Sequence, residues 1–220
     1  MTVFITAGFS NLGSAIAKAF ADRGDEVFVS SRTEKAHPYG KCIAMDLSDP
    51  ASVGDAVSGF DRLDVLVNNA GIFTEGSQET LDESDFDAVF DVNVKGLFRI
   101  TRAFLPLLRK CNGSVVNISS MNALHPGFGN TAHYDASKGA VSAYTRSLAS
   151  ETGLRINAIA PGLISAERLI GSPLEKRFSE HSVAKRMVMP DEIAALAVFL
   201  STSTGIYGQT IAIDNGYLLL

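Results

Sequence analysis

Short apolar runs alternating with longer helix-patterned stretches constrain this chain more than any other feature. The strand-like runs are Thr2–Thr6, Glu26–Ser30, Cys42–Met45, Leu63–Val67, Ser114–Ser119, Arg155–Ile159 and Thr210–Ile213. Val27-Phe28-Val29 and Val65-Leu66-Val67 carry no polar residue, as expected of strands covered on both faces. Helical periodicity occupies about 12–23, 50–58, 83–110, 133–151 and 190–201. Strands that alternate with helices require right-handed crossovers and a parallel sheet. The pattern predicts an α/β, Rossmann-like doubly wound fold. Residues 1–220 are expected to form a single domain, with about seven parallel strands and helices on both faces.

Composition supports that reading and excludes several functions. The chain has 220 residues, 46% of them hydrophobic and 20% charged, enough for one sizeable core. Net charge is −5 and no basic cluster is larger than a pair such as Lys185-Arg186, so nucleic acid is not an expected partner. The first apolar run, Val3–Ala7, lacks a basic flank and is too short for a signal peptide or a membrane span. Cys42 and Cys111 have no metal-ligand spacing. A metal site or disulfide framework is therefore not expected, and a reducing cytoplasm fits. Leu218-Leu219-Leu220 is expected to pack against the body or a partner subunit.

In an open parallel sheet, ligands bind at the carboxyl ends of the strands. The notable polar and small residues fall there: Gly8 and Asn11, Arg32, Asp46, Asn68-Asn69, Ser119-Ser120 and Pro161-Gly162. The run Ile5-Thr6-Ala7-Gly8-Phe9-Ser10-Asn11-Leu12-Gly13 passes from a strand through a small-residue turn into a helix. Such a turn can bring backbone N–H groups to a pyrophosphate. Asn69-Ala70-Gly71 lets backbone approach a ligand after the fourth strand. Asn93 is an amide set among Val92, Val94 and Leu97, inside what reads as one helix stopped at Asn112-Gly113.

Tyr134 and Lys138, four apart on a helix, share one face. An adjacent ammonium stabilises a phenolate, so the pair is a candidate acid/base. Either Ser119 or Ser120 could supply the active hydroxyl, because adjacent strand residues face opposite sides.

Taken in order, these motifs resemble the short-chain dehydrogenase/reductase family nearly end to end. The residues that carry the resemblance are the turn Thr6–Gly13, Asp46-Leu47, Asn68-Asn69-Ala70-Gly71, Asn93, Ile118-Ser119-Ser120, Tyr134-x-x-x-Lys138, Asn157-Ala158-Ile159-Ala160-Pro161-Gly162 and Pro190-Asp191-Glu192-Ile193-Ala194. The resemblance implies a catalytic set of Asn93, Ser120, Tyr134 and Lys138. In it Tyr134 exchanges a proton with the substrate oxygen and Ser120 polarises that oxygen. Lys138 lowers the Tyr134 pKa and holds the nicotinamide ribose, and Asn93 holds a water that connects Lys138 to solvent. Lowering a phenol by about three units needs roughly 4 kcal/mol.

The resemblance also implies a dinucleotide bound by Thr6, Gly8, Ser10, Asn11, Leu12, Gly13, Ser31, Arg32, Asp46, Leu47, Asn69, Ala70, Gly71, Tyr134, Lys138, Pro161, Gly162 and Ile164, with no metal. The expected activity is reduction of a carbonyl on a small molecule, or its reverse. Expected assembly is a dimer or homotetramer through the helices near 83–110 and 133–151. A same-fold lyase of the halohydrin dehalogenase kind is an alternative, although such enzymes replace the Lys with Arg. A non-catalytic nucleotide-binding module is another, although it would be expected to lose the four catalytic residues.

Two departures matter. The family turn Thr-Gly-x-x-x-Gly-x-Gly here has Ala7 and Asn11 in place of two glycines, which predicts weakened or altered cofactor binding. After the second strand stand Ser31 and Arg32, where an acid would serve NAD(H). A guanidinium beside a hydroxyl can hold a 2′-phosphate, so NADP(H) is favoured and NAD(H) stays possible.

Residues Leu163–Met189 form the expected substrate loop, with Ser165 a possible stand-in for a family Thr. Phe73, Met121, Phe128, His133, Leu163 and Leu169 are expected to line an apolar pocket. His125 and His133 are lesser acid/base candidates. The interval from Ser120 to Tyr134 is about one residue longer than usual, which predicts a small bulge within His125–Asn130.

Overall fold

The computed structural model describes all of residues 1–220. Its seven strands are β1 (Thr2–Ile5), β2 (Glu26–Ser31), β3 (Lys41–Ala44), β4 (Val65–Asn68), β5 (Ser114–Ile118), β6 (Arg155–Pro161) and β7 (Thr210–Ile213). They form one sheet in the order β3-β2-β1-β4-β5-β6-β7, every pair parallel. Chain order reverses beside β1, whose neighbours are β2 and β4. This is the topological switch point at which such sheets open a crevice.

Seven helices cover the sheet: α1 (Asn11–Ala21), α2 (Pro50–Ser58), α3 (Glu83–Phe90), α4 (Leu97–Cys111), α5 (Ala132–Thr152), α6 (Pro173–His181) and α7 (Pro190–Thr202). Alternation along β1 divides the core. Val3 and Ile5 join Ile16, Phe20, Ile193 and Leu200 beneath α1 and α7. Phe4 faces the other way, toward Leu66, Ile100, Phe104, Leu108 and Leu148 beneath α4 and α5. No helix is long and apolar enough to cross a membrane.

The expected single helix over 83–110 is corrected. A π-helical turn, Asp91–Gly96, separates α3 from α4. Asn93 lies within it, its side chain bound to the backbone of Ile72, as described below. Helix α6 lies inside the expected substrate loop, with Ser172 capping it and Pro173 at its first turn, where a missing N–H costs nothing. At the carboxyl end, Leu218 packs on the core, whereas Leu219 and Leu220 are exposed.

Candidate active site

The turn after β1 is built by close backbone approach. A Cβ on Gly8 would lie 2.4 Å from Cβ of Val29, and one on Gly13 would lie 2.4 Å from the Ala7 carbonyl oxygen. The left-handed conformation falls on Ala7, with φ of 52°; Asn11 opens α1 and needs no such freedom. Ser10 caps α1 by accepting from the Gly13 N–H at 3.0 Å. The N–H groups of Asn11 and Leu12 meet no protein acceptor, so the helix start presents two free donors.

Asn69 locks this turn to β4. Its amide donates to the Thr6 carbonyl at 3.0 Å, the Ala7 carbonyl at 3.1 Å and the Ser10 hydroxyl at 3.1 Å. Thr6 is buried, and its hydroxyl accepts from the N–H groups of Asn69 and Ala70, both at 2.9 Å.

Two adjoining cavities run along the carboxyl ends of the strands and share Ser10, Gly71 and Ile72. One, of about 430 Å³, is lined by Ser10, Asn11, Leu12, Asn69, Ser120, Tyr134, Lys138, Pro161, Gly162 and Ile164 among others. The second, of about 400 Å³, holds Ser31, Arg32, Asp46, Leu47 and Ala70. Two lobes joined at the start of α1 suit a dinucleotide, with its pyrophosphate against the free N–H groups. Thr6, Gly8, Gly13 and Asn93, named from the sequence as contact residues, line neither lobe; they shape the walls from behind.

Around the first lobe, Ser119 and Ser120 separate clearly. The Ser119 hydroxyl is bound to α5, donating to the Lys138 carbonyl at 3.0 Å and pairing with Ser142 at 3.0 Å. The Ser120 hydroxyl accepts from Asn122 N–H at 3.2 Å and lies against the Tyr134 phenol.

Lys138 is buried and donates from Nζ to the Ile118 carbonyl at 3.0 Å. Burial pushes its pKa down from 10.5 to about 8. Burial also pushes the Tyr134 phenol up from 10.0 to about 12, opposed by Ser120 and reinforced by Asp135. The direction is opposite to the lowering that the resemblance implies. Lys138 Nζ lies 5.8 Å from the Tyr134 ring centre and is bound to a carbonyl, so desolvation prevails.

Asn93 is tied by its side chain to the segment after β4 and to α5. Its Oδ1 accepts from Ile72 N–H at 2.8 Å, and its Nδ2 donates to the Ile72 carbonyl at 3.0 Å and to Ser137 at 3.1 Å. Oδ1 and Lys138 Nζ each come within 3.2 Å of where a Gly71 Cβ would stand. A side chain at Gly71 would therefore press on both groups.

Of the expected apolar lining, Phe73 and Leu169 face the first lobe. Met121 is core, and Leu163 packs against that same core. Phe128 packs on Tyr217 and His133 is buried against Thr74 at 2.8 Å. His125 bonds the Pro126 carbonyl at 2.7 Å, so neither histidine reaches the cleft. Within the segment before Tyr134, Gly129 and Asn130 take φ of 108° and 54°. Asp135 steadies that loop, accepting from Asn122 at 2.7 Å and from Gly127 N–H at 2.9 Å.

Sequence reasoning did not find Phe9, Ser48, Ile72 or Arg168 as wall residues. The first three adjoin named motif residues, and Arg168 adjoins Leu169 within the expected substrate loop, so each had a usable signal.

Fold, glycine-shaped turn and the Tyr134–Lys138 pair together define a dinucleotide-dependent oxidoreductase. Residues 7–218 match the family model described as Enoyl-(Acyl carrier protein) reductase. The 3-oxoacyl-[acyl-carrier-protein] reductase FabG of Thermotoga maritima is 32% identical, over 98% of this chain and 96% of that protein. The ligand-free aldohexose dehydrogenase of Thermoplasma acidophilum superposes with a TM-score of 0.93 at 26% identity, covering 100% of this chain and 94% of that one. ElxO with NADP bound superposes at 0.90 with 29% identity, covering 100% and 99%. The chain belongs to the short-chain dehydrogenase/reductase family. It is an NAD(P)-dependent oxidoreductase of the class acting on CH–OH groups.

Proposed function

We propose that this chain reduces a small-molecule carbonyl to an alcohol with NADPH, with Tyr134 as the acid. The observation that carries this reading is the convergence of the Tyr134 phenol and Ser120 hydroxyl on one cavity whose floor holds Lys138. Two hydroxyl donors meeting at one point suit an oxygen that gains negative charge, and so favour a C=O over a C=C bond. The dinucleotide, when bound, supplies the hydride.

The chain's own residues do the rest. Ser120 orients the carbonyl oxygen, and Tyr134 gives it a proton. A phenol held near 12 stays protonated at neutral pH, the state that reduction needs. Lys138, near 8, exchanges protons at neutral pH and can restore the phenol's proton. Asn93 keeps the Ile72 segment beside Lys138. The free N–H groups of Asn11 and Leu12 would take the pyrophosphate.

Preference for NADPH rests on Arg32, an exposed cation beside Ser31 in the second lobe. NADP bound to ElxO supports the same choice. We read residues 1–220 as one catalytic domain. We read self-association through α4 and α5 from the apolar groove of Val94, Leu97, Phe98, Val141 and Tyr144.

Tyr134→Phe tests the reading. NADPH oxidation should be lost across ketones and aldehydes, while NADPH binding followed by fluorescence stays within about twofold of wild type. Turnover that survives the substitution refutes Tyr134 as the acid.

A further inference from the structure

One charge in the first lobe belongs neither to the acid/base group nor to the nucleotide turn. Arg168 sits on the short 3₁₀ turn Glu167–Leu169 that follows β6. Arg168 lines the cavity that holds Ser120 and Tyr134. Glu167 instead lines a separate depression on the far side of the nucleotide turn. Consecutive side chains on such a turn diverge by about 120°, so the acid is turned away as the base is turned in.

The electrostatics are one-sided. Of the residues lining that cavity, Arg168 and Lys138 are the cations, and none is a carboxylate. Lys138 is buried and bound to the Ile118 carbonyl. Arg168 is exposed and takes part in none of the chain's ion pairs. The chain as a whole carries −5, so this cavity runs against its overall sign. Ile72, Phe73, Ile164 and Leu169 supply apolar wall to the same cavity. Such surroundings strengthen a charge contact relative to open water.

A guanidinium presents paired donors that match the two oxygens of a carboxylate or phosphate. We propose that Arg168 recognises an anionic group, carboxylate or phosphate, on the substrate whose carbonyl oxygen meets Ser120 and Tyr134. The substrate class is then oxo acids or phosphorylated carbonyl compounds, not neutral ketones. This proposal rests on the carbonyl-reductase reading above. The competing oxyanion is the dinucleotide pyrophosphate, since Asn11 and Leu12 line the same cavity.

Matched probes test it: 3-oxobutanoate against its ethyl ester, and dihydroxyacetone phosphate against dihydroxyacetone. Each is offered to the NADPH complex of wild type, Arg168→Gln and Arg168→Lys, with turnover and calorimetric binding both measured. In wild type, at least one anionic probe should exceed its neutral partner roughly 10- to 100-fold in affinity. Arg168→Gln should erase that advantage, leaving the neutral probes and NADPH affinity within about twofold, and Arg168→Lys should restore part of it.

Anionic probes that bind no better than neutral ones, or do not bind, overturn the proposal. So does an Arg168→Gln variant that loses NADPH affinity and weakens both members of a pair alike, which would assign Arg168 to the pyrophosphate. Anion binding that depends on Arg168 without turnover of any probe would sustain the assignment and sink the reductase reading instead.

Discussion

Lys138 Nζ lies 5.8 Å from the centre of the Tyr134 ring and gives its hydrogen bond to the Ile118 carbonyl, not to the phenol. Burial therefore moves the two groups in opposite directions, Lys138 down to about 8 and Tyr134 up to about 12. Between pH 8 and 10.5 the unfolded chain holds a Lys138 proton that the folded chain has released. Stability contributed by this site therefore rises with pH across that window. Below it the cost of burying the ammonium is complete, on the order of 3 kcal/mol. Tyr134 acts later: from pH 10 to 12 the folded chain keeps a proton that the unfolded chain loses, so its contribution falls. Urea midpoints should rise between about pH 7 and about pH 9.5. Lys138→Met should abolish most of that rise, whereas Tyr134→Phe should keep it. An unchanged slope in Lys138→Met would remove Lys138 as its source.

Ala7 stands where the family turn has glycine, and it carries a φ of 52°. An L-residue in that conformation costs about 1–2 kcal/mol. Glycine's greater freedom in the unfolded chain offsets up to about 1 kcal/mol of any gain. Ala7→Gly is expected to leave stability unchanged or raise it by up to about 1 kcal/mol, with NADPH affinity no weaker. Gly8→Ala should do the reverse. Its Cβ would meet the Val29 side chain at 2.4 Å, and overpacking of that kind costs roughly 1–3 kcal/mol. Denaturant midpoints for both variants, beside NADPH titrations, check the pair. A clear destabilisation by Ala7→Gly would count against strain at this turn.

Much of this architecture was legible because burial on both faces leaves a plain mark. Val65-Leu66-Val67 reads as a central strand and is one, and each strand end lies within about two residues of its expected place. The break at Asp91–Gly96 was not legible. It coincides with Asn93 reaching the Ile72 backbone across 21 positions of sequence, a contact of which helical periodicity carries no trace. Apolar character likewise does not distinguish a cavity wall from core. Phe73 and Leu169 face the cleft, while Met121 packs inside, with the same chemistry. The spacing of Tyr134 and Lys138 put them on one face but said nothing of the carbonyl that holds the ammonium. The turn's positive φ falls on Ala7 and not on Asn11, because the sharp bend precedes the helix start.

Arg32 lines the second lobe beside Ser31 and makes no ion pair of its own. Nearby Asp46 is hydrogen-bonded by Ser48, whose hydroxyl and N–H hold its carboxyl below the usual range, with a lesser contribution from the Arg32 charge. The guanidinium is thus available to a 2′-phosphate. Arg32→Ala should raise the KM for NADPH roughly 10- to 100-fold, the loss of a charge-assisted contact, and change that for NADH by less than about twofold. Equal effects on the two cofactors would show that Arg32 acts on something they share.

Asn11 has a function that the usual glycine could not supply. Its Nδ2 donates to the Ser165 carbonyl at 2.7 Å, joining the nucleotide turn to the segment that carries Arg168. Ser165 is itself tied by its N–H to the Val188 carbonyl at 2.8 Å, so the contact anchors the start of the segment at a second point. Removing one such hydrogen bond costs about 0.5–1.5 kcal/mol. Because the segment is peripheral, that loss should appear as local opening and leave the global midpoint nearly unchanged. Asn11→Ala and Asn11→Gly should therefore speed amide exchange in residues 165–170 by up to about tenfold, while exchange in β1 and β4 stays as in wild type. Substrate KM should rise in the same variants with kcat less affected, since the Tyr134 and Ser120 donors are untouched. Unaltered exchange in that segment would mean that the Val188 contact alone holds it.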